Sequence, residues 1–251
     1  MNEKTARFTE RLVSGFVWIT GLCTFVFLGS IVVFLSLFVQ AKYFDGFVKA
    51  CCRSVIRSLF IRINIEGRDH IRPDTTYLFM SNHVNIFDVF ILFGYIPTLV
   101  RGVELDDHFT WPFYGRIIRR LGMIPISHSN PRAALKSLNS AKEAIAEGTS
   151  ILILPEGGRT LDGQFKPFMR GTFLLAKQAG VDIVPMAMIG AFEIKRKGSN
   201  LIRPGKMTLR FGEPIPFEKI KDQKTKDISD YVRQKMLDLF IKSDTFNTNR
   251  Q

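Results

Sequence analysis

Residues 81–88, with the sequence Ser-Asn-His-Val-Asn-Ile-Phe-Asp, connect a predicted strand to a predicted helix. His83 and Asp88 lie five positions apart in this stretch. On one continuous helix, five residues turn through about 500°, so the two side chains would point about 140° apart. His83 is therefore predicted to lie on the loop, with Asn85 as the N-cap and Asp88 as the third helical residue. The helix dipole favours a carboxylate there, and the loop can fold His83 back against it.

A histidine bonded to a carboxylate predicts general-base chemistry. The carboxylate fixes the tautomer of the imidazole, and the other ring nitrogen is then free to take a proton from a hydroxyl group. No serine nucleophile is required if that hydroxyl belongs to the substrate. The alternative is that Asp88 only caps its own helix and that His83 is an ordinary loop histidine.

The chain on both sides of this loop alternates between strand and helix patterns. Residues 61–65 alternate apolar and polar side chains, and residues 149–154 form an apolar run typical of a buried parallel strand. The predicted strands are 61–65, 76–80, 99–103, 122–126, 149–154, 183–189 and 207–211. The predicted helices are 44–60, 86–94, 110–120, 131–147, 170–178 and 227–242. We predict an α/β fold with a mixed, largely parallel central sheet flanked by helices, and a site at the carboxyl ends of its strands.

The N-terminal part of the chain is predicted to be a helical membrane anchor. Residues 12–41 contain no Asp, Glu, Lys or Arg over 30 positions. As one helix this run would be about 45 Å long, which exceeds the hydrocarbon core of a bilayer. The run is too long for a signal peptide, and no small-residue cleavage site follows it. We expect either one tilted span or two shorter helices that turn near Gly21 or Gly29 and enter one leaflet.

The chain is expected to have three parts. Residues 1–42 form the membrane anchor, residues 43–242 form the α/β domain that carries the chemistry, and residues 243–251 form a disordered tail. Within the domain, the helix predicted at 44–60 has a basic face. That face either lies along anionic lipid headgroups or packs on the rest of the domain.

The net charge of +12, from 35 Lys and Arg against 23 Asp and Glu, indicates an anionic partner. Nucleic acid and an anionic membrane surface both fit such a charge. Nucleic-acid binding is not predicted, because the basic residues are dispersed and the aromatic residues lie mostly in apolar runs. The three cysteines, two of them adjacent, predict neither a metal site nor a disulfide framework.

A second polar loop follows the buried strand at 149–154. Residues 155–160 read Pro-Glu-Gly-Gly-Arg-Thr. Two glycines let the main chain approach a ligand closely, and Arg159 offers a bidentate fork for phosphate. The loop is therefore predicted to bind an anion. The alternative is that the glycines only form a tight turn and that Arg159 only pairs with Glu156.

With both loops considered, the chain resembles the glycerophospholipid acyltransferase family, specifically the group that acylates 1-acylglycerol-3-phosphate. The resemblance covers residues 61–216 and rests on several sequence blocks in the family's order and approximate spacing. These blocks are Asn82-His83 with Asp88, Gly122-Met-Ile-Pro-Ile-Ser-His128, Pro155-Glu-Gly-Gly-Arg-Thr160, Asp162-Gly163, Pro167-Phe168 with Arg170-Gly171, and Ile183-Val-Pro-Met-Ala187.

The resemblance implies a membrane-bound enzyme of phospholipid biosynthesis. It would transfer an acyl group from acyl carrier protein or coenzyme A to the sn-2 hydroxyl of 1-acylglycerol-3-phosphate, making phosphatidic acid. His83 would act as the base and Asp88 would orient it, with no metal or bound cofactor. The enzyme would bind membrane lipids at the cytoplasmic face of the cell membrane. The residues implied in substrate binding are Asn82, Glu156, Gly157, Gly158, Arg159, Thr160, Arg101 and His128.

Departures from the family's pattern keep the acceptor open. Members usually carry Arg where His128 stands and often Lys near Val103, and both positions are associated with phosphate recognition. They also usually carry Ser at Asn85, Thr at Gly158 and Ser at Thr160. The missing charges could be replaced by Arg101, Arg119 or Arg120. Otherwise the acceptor is another lysolipid, such as a lyso-ornithine lipid, and the alternative of another class is a non-catalytic protein that binds or tethers anionic lipids.

Overall fold

The computed structural model describes residues 3–127 and 131–247. The strands are β1 (Arg62–Glu66), β2 (Leu78–Ser81), β3 (Val100–Leu105), β4 (Ile124–Ile126), β5 (Ser150–Ile153), β6 (Ile183–Ile189) and β7 (Lys206–Phe211). Among the described residues they form one sheet in the order β1-β7-β6-β2-β5-β3-β4. Neighbouring strands are parallel, except that β6 and β7 are antiparallel. The predicted mixed, largely parallel sheet is thus confirmed.

The middle of the sheet positions the two polar loops side by side. Every residue of β2 and of β5 is buried, which explains the continuous apolar runs of these strands. The two strands are parallel neighbours, and Met80 of β2 pairs with Ile153 of β5. The residues that follow each strand therefore emerge next to one another at the carboxyl edge of the sheet. His83 follows β2 there, and the loop at 155–160 follows β5.

Helices cover both faces of the sheet. They are α1 (Glu3–Leu35), α2 (Asp45–Ser58), α3 (Asp88–Tyr95), α4 (Tyr114–Arg120), α5 (Pro131–Ala146), α6 (Arg170–Ala179), α7 (Ala191–Ile194), α8 (Phe217–Ile220) and α9 (Thr225–Asn247). Short 3-10 helices lie at Ala41–Phe44, Arg68–His70 and Asp106–Thr110. Helices α1 to α4 share one apolar core with one face of the sheet, and α5, α6 and α9 share a second core with the other.

The first helix is continuous from Glu3 to Leu35, which agrees with the alternative of one helix and excludes a turn near Gly21 or Gly29. Both glycines face the domain at points of close approach. A Cβ atom at Gly21 would lie 2.4 Å from the Leu59 side chain, and one at Gly29 would lie 2.9 Å from the Phe113 ring. The glycines therefore serve helix packing instead of chain reversal.

The outer face of α1 is apolar and exposed, as a membrane anchor requires. The segment Phe8–Leu35 is long and apolar enough to cross a membrane by length and composition. Its inner face is buried at Val17 and Val32, while its outer face exposes large apolar side chains, among them Leu12, Phe16, Ile19, Leu22 and Phe27. The helix is thus a candidate membrane anchor that also packs on the domain.

The second helix packs on the domain, which is one of the two alternatives left open for residues 44–60. Its apolar residues Val55 and Ile56 are buried against the core that α1 and α3 share. Two of its basic side chains also point inward. Lys49 Nζ donates to the Thr98 carbonyl at 2.8 Å, and Arg53 donates to the Gly94 carbonyl at 2.7 Å.

The segment 195–203, which follows α7, binds the amino-terminal half of α1. Trp18 Nε1 donates to the Asn200 carbonyl at 2.7 Å. Arg203 Nε lies 2.6 Å from Glu10 Oε1. Because this segment leaves the sheet after β6, these contacts bring α1 to the side of the domain where His83 lies.

Two predicted helix boundaries differ from the structure. The helix predicted at 110–120 begins at Tyr114, because residues 106–110 form a 3-10 helix and Pro112 has no N–H to donate. The last helix runs to Asn247, so residues 243–247 continue it instead of forming the expected disordered tail. These residues contain no glycine or proline that would end a helix. Residues 248–251 lie outside the described chain.

Candidate active site

His83 and Asp88 meet as the sequence predicts. His83 lies on the loop after β2, and its Nδ1 is 2.8 Å from Asp88 Oδ2. Asp88 is the first residue of α3, and not the third as predicted from Asn85 as the N-cap. The helix starts later because Asn85 Oδ1 accepts the N–H of Phe87 at 2.8 Å and forms a side-chain turn ahead of the helix.

The carboxylate of Asp88 is fixed by the loop that it orients. The residue is 1% exposed, and Oδ2 also accepts the N–H groups of Val84 at 2.6 Å and Asn85 at 3.0 Å. An ionised carboxylate can only accept, so the contact with His83 places a proton on Nδ1. Nε2 is then the basic nitrogen, and the His83 side chain keeps 24% of its surface exposed. The pair is therefore arranged for general-base catalysis.

The second loop holds the main chain of His83 from both sides. Glu156 Oε1 accepts the N–H of His83 at 2.9 Å, and the N–H of Thr160 donates to the His83 carbonyl at 2.9 Å. The other oxygen, Oε2, accepts the N–H of Lys166 at 2.9 Å. Burial raises the pKa of the Glu156 carboxyl, and these N–H groups partly offset the rise. The loop at 155–160 thus supports the main chain of His83.

These contacts correct the predicted role of Glu156. The sequence left it as a partner of Arg159 or of a substrate hydroxyl. In the structure both carboxylate oxygens are used by main-chain N–H groups, and the residue is 4% exposed. Buried N–H groups need hydrogen-bond acceptors, and the Glu156 carboxylate serves as the acceptor for two of them.

The other residues of this loop set its shape. Gly157 has φ +62°, a left-handed conformation that favours glycine. Thr160 is 2% exposed; its hydroxyl donates to Asp162 Oδ1 at 2.9 Å and accepts the N–H of Gly163 at 3.1 Å. Thr160 therefore stabilises the turn that follows, and the structure does not aim its hydroxyl at a ligand.

The side chain of Asn82, which the resemblance implies in substrate binding, is held by main-chain groups of β6. The residue is 6% exposed, and its side chain forms a pair of hydrogen bonds with the main chain of Met188. Oδ1 accepts the N–H of Met188 at 2.8 Å, and Nδ2 donates to its carbonyl at 3.2 Å. Asn85 Nδ2 similarly donates to the Ala191 carbonyl at 2.9 Å. Both asparagines tie the His83 loop to the end of β6, a role that the sequence did not indicate.

Arg101 does not converge on His83. Arg101 of β3 and Leu78 of β2 both pair with Ile151 of β5, so Arg101 lies level with Leu78, five residues before His83. Burial lowers the pKa of the Arg101 guanidinium, and the charge of Asp45 partly offsets this.

The other proposed replacements give no alternative phosphate ligand. The Arg119 guanidinium donates to the Phe109 carbonyl at 2.7 Å and to that of Gly115 at 3.3 Å, so it is held locally. Nothing in the structure brings Arg120 to His83. His128 lies outside the described residues.

Arg159 instead has lysines as neighbours, which the sequence analysis missed. Lys197 Nζ lies 3.5 Å from the Arg159 carbonyl, and Lys166 Nζ lies 3.3 Å from the Gly158 carbonyl. Lys195 is buried, and this burial followed by the charge of Arg159 lowers its pKa. One signal was present, because the basic run at 195–197 follows β6, the strand next to β2.

A small cleft joins the two loops at the carboxyl edge of the sheet. It is lined by Asn82, His83, Val84, Glu156, Thr160, Gly163, Gln164 and Phe165. Within the described ranges, no group of three or more His, Cys, Asp or Glu side chains could hold a metal ion. The residues present therefore offer a histidine base beside a cationic loop, which suits proton removal from an anionic alcohol.

Comparison with known proteins agrees with this chemistry. The chain is 32% identical over 184 residues to the 1-acyl-sn-glycerol-3-phosphate acyltransferase of Limnanthes douglasii, covering 73% of this chain and 63% of that protein. It is 27% identical over 181 residues to the 1-acyl-sn-glycerol-3-phosphate acyltransferase alpha of Bos taurus, covering 72% of this chain and 63% of that protein. The chain thus spans less than two thirds of the length of these curated relatives.

A solved structure shows the same fold. The crystal structure of the 1-acyl-sn-glycerophosphate acyltransferase of Thermotoga maritima superposes with a TM-score of 0.76 at 22% sequence identity. The match covers 90% of this chain and 94% of that one. Residues 62–189, just over half of the chain, match the Acyltransferase family. Because this segment contains both the His83–Asp88 pair and the loop at 155–160, the chain belongs to the acyltransferase family.

Proposed function

We propose that the protein is a 1-acylglycerol-3-phosphate O-acyltransferase that makes phosphatidic acid. The observation that carries the proposal is the contact of 2.8 Å between His83 Nδ1 and a buried Asp88 carboxylate at the carboxyl edge of the sheet. The names of the relatives support the choice of acceptor. The adjacent cations of the loop at 155–160 suit a phosphate headgroup.

In the proposed reaction, Nε2 of His83 takes the proton of the sn-2 hydroxyl as its oxygen attacks the thioester carbonyl. A C–O bond forms, the C–S bond breaks, and the proton passes from the imidazolium to the departing thiolate. Asp88 stabilises the imidazolium while it exists. General-base action contributes about 10²- to 10⁴-fold to the rate, and holding the two substrates in register contributes further orders of magnitude.

The acyl donor is proposed to be a thioester of acyl carrier protein or coenzyme A, which is a co-substrate. Both donors are anionic, and the net charge of +12 favours their approach. The proposal requires no metal ion and no bound organic cofactor, because the acyl group arrives already activated.

The proposed location is the cytoplasmic face of the cell membrane, with residues 1–42 as the anchor and residues 43–242 as the catalytic domain. Contacts of α1 with the domain from Glu10 to Gly29 support a helix that lies in one leaflet. Trp18 binds the Asn200 carbonyl at 2.7 Å, and the ring of Phe25 lies 5.4 Å from that of Phe113. A helix packed on the domain over this length leaves only its outer face for lipid.

The test of the proposed function is His83→Ala. The variant should lose acyl transfer to 1-acylglycerol-3-phosphate while it stays folded and membrane-bound, because the His83 ring contacts only Asp88 among the described polar side chains. His70→Ala is the matched control. His70 is exposed and lies in the 3-10 helix Arg68–His70, which precedes β2, whereas His83 follows that strand. Unchanged turnover in His83→Ala would leave a non-catalytic lipid-binding protein as the better description.

A further inference from the structure

Three cations surround the main chain of Gly158 and Arg159. We call the side chains of Arg159, Lys166 and Lys197 the basic cradle. Lys166 Nζ lies 3.3 Å from the Gly158 carbonyl, and Lys197 Nζ lies 3.5 Å from the Arg159 carbonyl. Both distances are longer than those of ordinary N–H···O bonds, which are about 2.7–3.2 Å. The two ammonium groups are therefore close to the loop without being firmly held by it.

No carboxylate among the described residues is within ion-pair distance of the basic cradle, although burial raises the pKa of the Glu156 carboxyl and the charge of Lys166 helps to lower it. The nearby carboxylates are occupied elsewhere. Glu156 accepts two main-chain N–H groups, and Asp162 Oδ1 accepts from the Thr160 hydroxyl and the N–H of Gln164. Half-buried cations without a partner are costly, and an anion at this position would offset that cost.

Lys195 adds to the same positive field. It is 6% exposed, and its ammonium contacts only main-chain carbonyls, those of Arg196 and Ser199. An ammonium bonded to neutral carbonyls keeps its full charge. Arg196, the next residue, is not counted with this field, because its guanidinium lies over the Phe192 ring at 5.0 Å.

Gly158 makes room for Lys166 in this chain. A Cβ atom at Gly158 would lie 3.3 Å from Lys166 Nζ, which is closer than ordinary van der Waals contact. The family that the chain resembles usually carries threonine at this position. The glycine therefore leaves space for the Lys166 ammonium beside the loop.

The basic cradle lies at the loop that is hydrogen-bonded to the main chain of His83. Arg159 directly precedes Thr160, whose N–H donates to the His83 carbonyl at 2.9 Å. In 1-acylglycerol-3-phosphate, two carbons and one ester oxygen separate the sn-2 hydroxyl oxygen from phosphorus. The proposed function therefore requires a phosphate in the cradle to leave the hydroxyl beside His83.

We propose that the basic cradle binds the phosphomonoester of the acyl acceptor. In this chain, Lys166 and Lys197 supply the charge that other members of the family carry at the positions of His128 and Val103. The proposal rests on the proposed function and names the residues that select a phosphate headgroup over an uncharged one.

The test compares Lys166→Met, Lys197→Met and the double variant with the wild-type full chain. Each single change should raise KM for 1-acylglycerol-3-phosphate by about tenfold, the usual effect of losing one charge-assisted contact, and the double change should raise it further. The kcat at saturation should stay within about twofold, because neither lysine side chain contacts His83 or Asp88. Lys197→Arg should restore most of the loss, since it keeps the charge.

The matched control is Lys177→Met. Lys177 is also half-buried and donates to a main-chain carbonyl, that of Gln223 at 2.7 Å, but it lies on α6 away from the site. Its KM for 1-acylglycerol-3-phosphate should equal that of the wild type. Unchanged KM in the double variant, or an equal rise in KM for monoacylglycerol, which lacks phosphate, would overturn the proposal.

A binding measurement separates this proposal from the proposed function. The His83→Ala protein, in detergent micelles, is titrated with 1-acylglycerol-3-phosphate and with monoacylglycerol, with and without the two lysine changes. The proposal is supported if His83→Ala prefers the phosphate lipid and the lysine changes remove this preference. That result would hold even if the wild-type protein transfers no acyl group to that lipid. Equal binding of both lipids by His83→Ala overturns the cradle, even if the wild type is an active transferase.

Discussion

The two loops at the carboxyl edge of the sheet hold their charged groups in opposite ways. The Asp88 carboxylate is buried and accepts three N–H groups at 2.6–3.0 Å. The ammonium groups of Lys166 and Lys197 are half-buried and touch the loop only at 3.3 and 3.5 Å. Proton transfer needs one geometry, whereas a phosphate can be attracted by cations that adjust to it. On the proposed function, the site therefore combines a rigid base with an adaptable anion site.

The largest effect is expected from Asp88→Asn. An amide cannot serve as the negative acceptor of Nδ1–H, and it offers its own N–H groups to the N–H groups of Val84 and Asn85. We expect kcat to fall by about 10³- to 10⁴-fold, as in other carboxylate-oriented histidine bases, while KM changes little. Steady-state kinetics with the acyl acceptor measures both constants. A change in KM alone would mean that Asp88 is part of the acceptor site instead.

A smaller effect, on stability, is expected from Asn82→Ala. The change leaves the N–H and the carbonyl of Met188 buried without their side-chain partner. We expect the free energy of unfolding to fall by about 2 kcal/mol, measured by denaturant titration in detergent. Ser54→Ala, on α2, is the control. A loss of acceptor affinity with unchanged stability would restore the substrate contact that the sequence predicted for Asn82.

Salt should act on the anion site and leave the base unaffected. Because Lys166 and Lys197 are partly exposed to solvent, raising the ionic strength from about 0.05 to about 0.5 M should screen their charge and raise KM for 1-acylglycerol-3-phosphate several-fold. The kcat should not change, since the Asp88 carboxylate is shielded from salt by burial. The double lysine variant should lose most of this salt dependence. An equal salt effect in wild type and double variant would place the screened charges elsewhere.

The smallest effect concerns the pH dependence of stability. Burial raises the pKa of Glu156 above its ordinary value of 4.5, so the folded state binds more protons than the unfolded state between the two values. Stability therefore falls as pH rises through that window, relative to Glu156→Gln, which has no proton to lose. Denaturant midpoints of both proteins, measured from pH 4.5 upward, test this. Parallel curves would show that the carboxyl titrates normally.

The contact between His83 and Asp88 could be predicted from sequence because its geometry is local. His83 and Asp88 are five residues apart, and a loop followed by a helix start is enough to bring them together. The alternation of strand and helix patterns likewise predicted the parallel sheet and the edge at which the loops meet. These signals depend on short-range periodicity and on the general topology of α/β sheets.

The support of the pair could not be predicted, because it depends on main-chain groups that are distant in sequence. Glu156 binds the N–H of His83 across 73 positions, and Asn82 binds Met188 across 106. A hydrogen bond to a main-chain group does not depend on the partner's side chain, so the sequence does not reveal the partner. Glu156 and Asn82 therefore resemble substrate ligands when only the sequence is considered. The lysine neighbours of Arg159 were missed for the same reason, since Lys197 lies 38 positions away.

One segment, 195–203, contacts both the headgroup side of the site and the lipid-facing helix. Lys197 lies beside Arg159, and three residues later the Asn200 carbonyl accepts the indole N–H of Trp18. A foreign hydrophobic helix grafted in place of α1 would keep the enzyme on the bilayer but leave that carbonyl without its donor. Such a chimera should float with the lipid fraction and still be a poor enzyme. The helix would attach the protein to the bilayer, but it would no longer align the segment 195–203 with the membrane.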